Sequence, residues 1–142
     1  MKLARICLLL IAVIPLLRGE PIAAQDARLQ PAQKSVEAWL ALTDATRYAE
    51  SRRQASAAFQ AAVTEESWSH DMQTVRRWPL GKVQTRAFRD AVSAKMQPGL
   101  PEGDYVVVTY DTSFEHKQAA VETVTTSLEK DGAWRVAAYV IK

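Results

Sequence analysis

Residues 121–141, VETVTTSLEKDGAWRVAAYVI, set two runs of β-branched and aromatic residues on either side of Asp131-Gly132. An Asp-Gly pair between such runs is the strongest short-range signal for a β-hairpin. Loop length then decides which side chains share a face. A two-residue turn opposes Glu129 to Trp134 and Leu128 to Arg135, mixing charge with apolar groups on both faces. A three-residue loop, Lys130-Asp131-Gly132, with Gly132 supplying the positive φ of a bulged turn, pairs Leu128 with Trp134, Thr126 with Val136, Val124 with Ala138 and Glu122 with Val140. The second register gives one coherent apolar face and is the one expected, since a slip of one residue exchanges the two faces. It also carries one carboxylate, Glu122, to the apolar side.

Working outward, Glu115 to Ala120 reads as a connection, and Tyr105 to Phe114 as a strand whose apolar face holds Val106, Val108, Tyr110, Thr112 and Phe114. Pro98 to Gly103 is a turn cluster. Val83 to Met96 alternates imperfectly, with Phe88, Val92 and Met96 as one inward set. Before Gly81 the period is helical. Pro31 suits a first helical turn, and Val36, Trp39, Leu40 and Thr43 follow on one face. Asp44-Ala45-Thr46 is a break or cap, then Tyr48, Arg52, Ala55, Phe59, Ala62 and Val63 continue the pattern; residues 32–63 read as one helix or as two. Thr64 before Glu65-Glu66 is a helix start, a hydroxyl cap followed by carboxylates at the positive end of the dipole. Trp68, Met72 and Val75 form its expected buried stripe, and Pro79 to Gly81 ends it. Helices first and antiparallel strands after them imply an α+β fold: two or three N-terminal helices packed on a four-stranded sheet.

The N-terminus reads as a targeting segment. Lys2 and Arg5 precede an apolar run from Ile6 to Leu17, and Ile22-Ala23-Ala24 offers small residues for cleavage after Ala24. The run is short for a membrane span and Pro15 interrupts it, so the mature chain is expected to be exported, periplasmic or secreted, and not membrane-embedded. Residues 25–30 read as a flexible lead-in and 31–142 as a single domain. The segment 1–24 contains Lys2, Arg5 and Arg18 against Glu20, which accounts for the whole formal charge of +2. The remainder is neutral, and the argument for nucleic acid as partner goes with the segment. Cys7, the sole cysteine, leaves as well, so the domain must stand on its hydrophobic core without a disulfide.

Trp39-Leu40 with Asp44 and Tyr48, Phe59 with Trp68, Arg77 with Pro79-Leu80-Gly81, Leu100-Pro101 with Gly103-Asp104-Tyr105, Glu122-Thr123-Val124-Thr125, and Asp131-Gly132 with Trp134-Arg135-Val136 and Tyr139 form a combination. In that combination the chain resembles the secreted or periplasmic bacterial family called domain of unknown function 4019. The likeness runs over the mature chain, with Thr46 where that family usually has glycine and Arg52 where it usually has tryptophan. It implies an exported α+β domain and no assigned activity. The layout is similar to the cone-shaped nuclear-transport-factor-2-like and cystatin-like folds, an analogy of architecture only.

The chemistry open to such a chain is narrow. His70 and His116 are far apart with no cysteine near either, so no metal site and no cofactor is expected. There is no Gly-x-Ser-x-Gly elbow, and the glycines sit in turns between strands rather than at helix starts. General acid–base chemistry remains: Glu122 on the apolar face with Tyr110 and Thr112, and Asp90 between Phe88 and Val92, are the catalytic candidates for a lyase or isomerase. Against it stands a structural account, with Glu122 paired to Arg135, Lys117 or a helix arginine and Asp90 at a bulge. Trp39, Trp68 and Trp134 are expected in the core and Trp78, before Pro79, in partial exposure beside Arg76-Arg77. Candidates for holding a ligand or partner are Trp78, Arg77, Tyr110, Thr112 and Glu122. A non-catalytic binding or accessory module for an unknown small ligand or protein is the expected role. A homodimer through the open sheet face, at Val107, Thr109, Thr123, Thr125 and Tyr139, is a further reading.

Overall fold

A computed structural model describes residues 22–142. The targeting segment read at residues 1–24 therefore lies, up to residue 21, outside the described residues. The chain forms α1 (Ile22–Asp44), α2 (Tyr48–Arg53), α3 (Ala57–Ala62), α4 (Glu65–Asp71), a π-helical turn (Met72–Arg77) and a one-turn α5 (Trp78–Leu80). Four strands follow: β1 (Val83–Ala94), β2 (Tyr105–Phe114), β3 (Lys117–Leu128) and β4 (Trp134–Ile141). They make one antiparallel sheet in the order β1-β2-β3-β4, so the architecture is α+β as expected. Residues 25–30, read as a loose lead-in, are helical, and Pro31 lies inside α1 rather than at its start. Alanine, glutamine, arginine and leucine in that stretch favour the helix, and one missing donor does not end it.

The stretch 32–63 divides into three helices. At the first break Thr46 holds φ at 60°, a left-handed conformation that a β-branched residue rarely adopts. This is the position where the resembled family has glycine, and the threonine keeps the turn at a conformational cost. Thr46→Gly is expected to raise stability by about 1 kcal/mol, the relieved strain less the greater freedom of an unfolded glycine; urea unfolding measures it. At the second break Ser56 caps α3 through its side chain, and its own N–H donates to the Val136 carbonyl at 2.8 Å, tying the helical layer to β4. Thr64 closes a reciprocal capping box with Ser67, as its position before two glutamates implied.

Trp39, Phe59 and Trp68 pack edge to face or tilted, with ring centres 5.0 to 6.3 Å apart, between the helices and the inner face of the sheet. Both indole N–H groups find partners on Ser51, its carbonyl for Trp39 and its hydroxyl for Trp68. Val106, Val108, Tyr110, Thr112 and Phe114 are all buried, so that face of β2 is as read from the alternation.

Three other expectations are corrected. Phe88 stays on the inner side opposite Tyr110 but is about half exposed on the edge strand, Met96 lies beyond the end of β1, and Val92 is turned out because a bulge between Phe88 and Asp90 changes the phase, so that Ala91 opposite Val108 takes the inner place. The segment read as a connection at 115–120 is mostly strand, since β3 begins at Lys117 after a tight turn. Val75, expected in the buried stripe, is 70% exposed, and Arg76 takes its place inside. The physical reason is the π-helical winding. Each residue of a π-turn advances through a smaller angle than in an α-helix, so the fourth residue after Met72 returns to the core face and the third does not.

The closing hairpin has the three-residue loop. The Gly132 N–H donates to the Glu129 carbonyl, Gly132 sits at φ 81°, and Leu128 pairs with Trp134 and Thr126 with Val136. Beyond that point the expected register fails. A bulge at Ala137 shifts the pairing by one, so Thr125, not Val124, faces Ala138, and Glu122 faces Ile141 rather than Val140. Tyr139, placed on the open face by strict alternation, is thereby turned inward, where its ring lies 5.3 Å from that of Trp39. On the outer face Val107, Thr109 and Thr123 are half-buried, with Val92 and Val140 exposed beside them, while Thr125 in the same row is buried.

Candidate functional site

Glu122 of β3 is fully buried and sits at the centre of a group of charged and hydroxyl side chains drawn from five other elements. Arg86 of β1 donates to it through Nε at 2.6 Å and Nη2 at 3.2 Å, the Thr112 hydroxyl of β2 donates at 2.6 Å, and the Tyr139 hydroxyl of β4 donates to its other oxygen. Arg86 reaches on to Asp44, the last residue of α1, at 2.7 and 3.2 Å. The π-turn brings in Arg76, only 3% exposed, which donates to Asp44, donates through Nε to the Tyr139 hydroxyl at 3.0 Å, and lies over the Phe114 ring. Two guanidinium groups face two carboxylates, so the buried charge is compensated and both Glu122 oxygens are fully engaged.

The titration directions follow from this packing. Burial pushes the Asp44 carboxyl up, but the hydrogen bonds and charges of Arg86 and Arg76 outweigh it and leave it below the usual value. Burial raises the Tyr139 phenol well above its usual value, and the neighbouring Glu122 adds to that. A phenol so held is neutral throughout the physiological range and is no base.

The candidates read from sequence fall into two sets. Glu122 and Thr112 lie in the group just described. Tyr110 lies opposite Glu122 in the strand register, yet its hydroxyl is buried without a hydrogen-bond partner among the described residues. Burial, with the Glu37 charge behind it, pushes that phenol up to about 12. Tyr110→Phe is expected to leave stability unchanged or raise it by about 1 kcal/mol, since it removes a polar atom desolvated without compensation; thermal unfolding checks it. Asp90 is exposed next to the β1 bulge and stands outside the group, as the structural account supposed. Trp78 is 68% exposed beside the half-buried Arg77, and neither touches Glu122. Sequence reading missed Asp44, Arg76, Arg86 and Tyr139 as members of the group.

Two of the clefts on the described surface exceed 500 Å³. One, of 530 Å³, is bounded by Pro31, Lys95, Asp104, Tyr105, Leu128 and Trp134 at the hairpin end. The other, of 540 Å³, opens beside the π-turn, with Arg76 and Tyr139 in its wall. Among the described residues no group of three or more histidine, cysteine or acidic side chains is placed to hold a metal ion.

Residues 35–139 match the family described as Protein of unknown function (DUF4019). The chain belongs to this family. No curated protein and no solved structure matches it. Within the DUF4019 resemblance, Asp44, Glu122 and Tyr139 are three of the residues that carried the likeness in sequence, and they meet in one group in space. At the two departures the fold compensates differently. Thr46 keeps the left-handed turn, while Arg52 donates to the Val63 and Gln60 carbonyls at 2.6 and 2.7 Å, closing the C-terminal end of α3.

Proposed function

We propose that this DUF4019 domain is a non-catalytic binding module of an exported protein, periplasmic or secreted. The observation that carries the reading is the state of Glu122. A catalytic carboxylate must reach a substrate proton, within about 3 Å or through one water. Glu122 has no accessible surface, and its oxygens are taken by Arg86, Thr112 and Tyr139. The lyase or isomerase reading therefore lacks a working acid or base, since Asp90 lies outside the group and Tyr110 meets no partner. Two clefts of a size that suits small ligands favour binding instead. Export is supported by the charged and apolar pattern of residues 1–24 and by a chain without cysteine beyond Cys7. No helix among the described residues is long and apolar enough to cross a membrane.

Protein purified from its native compartment and examined by native mass spectrometry is expected to carry a co-purifying small molecule. A protein that is empty under those conditions, and whose Glu122→Gln variant folds but loses a turnover shown by the wild type, overturns the reading in favour of an enzyme.

A further inference from the structure

We propose that the cleft beside the π-turn binds an amphiphilic anion, an apolar chain ending in a carboxylate or phosphate group. This rests on the binding reading and names its site and ligand class. Trp68, Met72, Val75, Leu80 and Ile141 give the cleft an apolar lining within 540 Å³, room for a chain of about ten carbons on the scale of small-ligand pockets. Its polar wall is cationic on one side. Arg76 is buried and spends Nε on Tyr139 and Nη2 on Asp44, which leaves Nη1 without a hydrogen-bond partner among the described residues. Lys117, the first residue of β3, also lines the cleft and makes no ion pair among them. Asp71 is the one carboxylate in the lining.

A second observation points the same way. The turn before Lys117 is bound to the cleft's edge, the His116 N–H donating to the Leu80 carbonyl at 3.0 Å and the Lys82 N–H to the Glu115 carboxylate at 2.7 Å. Glu115 is fully exposed, yet its carboxyl lies below the usual value, first through that Lys82 N–H and then through the charges of Lys82, His116 and Arg77. Lys82, His116 and Arg77 thus stand around this turn, at the edge of the cleft that Arg76 and Lys117 line. An apolar floor with Lys117 at its wall and an open Nη1 on the Asp44-paired Arg76 is complementary to an anion with a tail, and opposed to a cation with the same tail.

Calorimetric titration of the full mature chain with dodecanoate, dodecyl phosphate, dodecanol and dodecyltrimethylammonium, each below its micelle concentration, tests this. The two anions are expected to bind one to one, and the alcohol and the cation roughly tenfold or more weakly. Lys117→Glu and Val75→Asp, at positions outside the buried charge group, are each expected to weaken anion binding by about tenfold while leaving the circular dichroism spectrum unchanged. Equal affinity for the cation, or no effect of Lys117→Glu, overturns the proposal. Loss of binding in Leu128→Asp at the other cleft, with Val75→Asp unaffected, moves the site but leaves the binding reading standing. Binding of phosphatidylglycerol vesicles without binding of monomeric dodecyl phosphate overturns it in favour of a membrane surface. No binding of any probe, in protein that also purifies empty, ends both readings.

Discussion

Arg86→Ala is expected to destabilise the domain by about 3–5 kcal/mol, the cost of leaving a buried charge without its partner. Arg86 supplies two of the four hydrogen bonds to Glu122, whose remaining cation, Arg76, is 3.8 Å away and committed to Asp44. The isolated pair is not what makes the effect large; the desolvation of Glu122 is already complete and cannot be reversed without opening the sheet from the helices. A companion experiment separates the two. Arg86→Met combined with Glu122→Gln removes both charges at similar volume and is expected to recover most of the loss, so the double-mutant cycle is strongly non-additive. Full additivity in urea unfolding rejects the clasp. The acid limb supplies a further check of sign. The Asp44 carboxyl is depressed in the folded state, so its contribution is complete above the ordinary value of 3.8 and is lost as pH falls through the lower folded value. Arg86 is the largest of the influences that hold it down. Its removal therefore shifts acid unfolding to higher pH.

Tyr139→Ala is expected to be comparably severe, at about 4 kcal/mol or more. The bulge at Ala137 sets Tyr139 opposite Val124 on the core side of β4, so the substitution empties a place in the packed layer and not on the surface. Glu122 then loses the Tyr139 hydroxyl, Arg76 loses its acceptor at 3.0 Å, and Trp39 loses a ring packed on its edge. Hydrogen bonds to charged groups contribute about 1.5–3 kcal/mol each, and the aromatic contact about 1 kcal/mol more. Near-ultraviolet circular dichroism, which reports the packed aromatic rings, should collapse before the far-ultraviolet signal. A Tyr139→Ala variant as stable as the parent shows that the inward tyrosine is no part of the clasp.

These two experiments also mark the boundary between what was legible and what was not. The hairpin loop followed from Asp131-Gly132 and from the demand that Leu128 and Trp134 share a face. The capping of α4 followed from Thr64, and the burial of Glu122 from the same register that buried Val124. All of these rest on local chemistry with a single good solution. The partners of Glu122 did not follow, because two of them depend on departures from regular periodicity. Tyr139 is inside only through a bulge, and Arg76 only through a π-turn; strict alternation and the α-helical period assign both to the surface. Arg86 was missed for a different reason: a charged residue in an imperfectly alternating strand reads as solvent-facing until its acids are known. The tension was visible in one place. Of the three partners that the structural account offered Glu122, the helix arginine was the right kind, while Arg135 pairs with Asp131 instead.

The π-turn has a consequence for how this end of the molecule breathes. Wound as it is, it presents Arg76 to the interior and Val75 to water; wound as an ordinary α-helix, it offers Val75 a more equal claim on the interior. The wider coil is thus held by what grips the arginine rather than by its own backbone geometry. Protons on the amides of residues 72–77 should exchange with solvent faster once the acids let go, ahead of those in β2 and β3, and the chemistry of Asp44 and Glu122 becomes readable as the local pitch of a single helical turn.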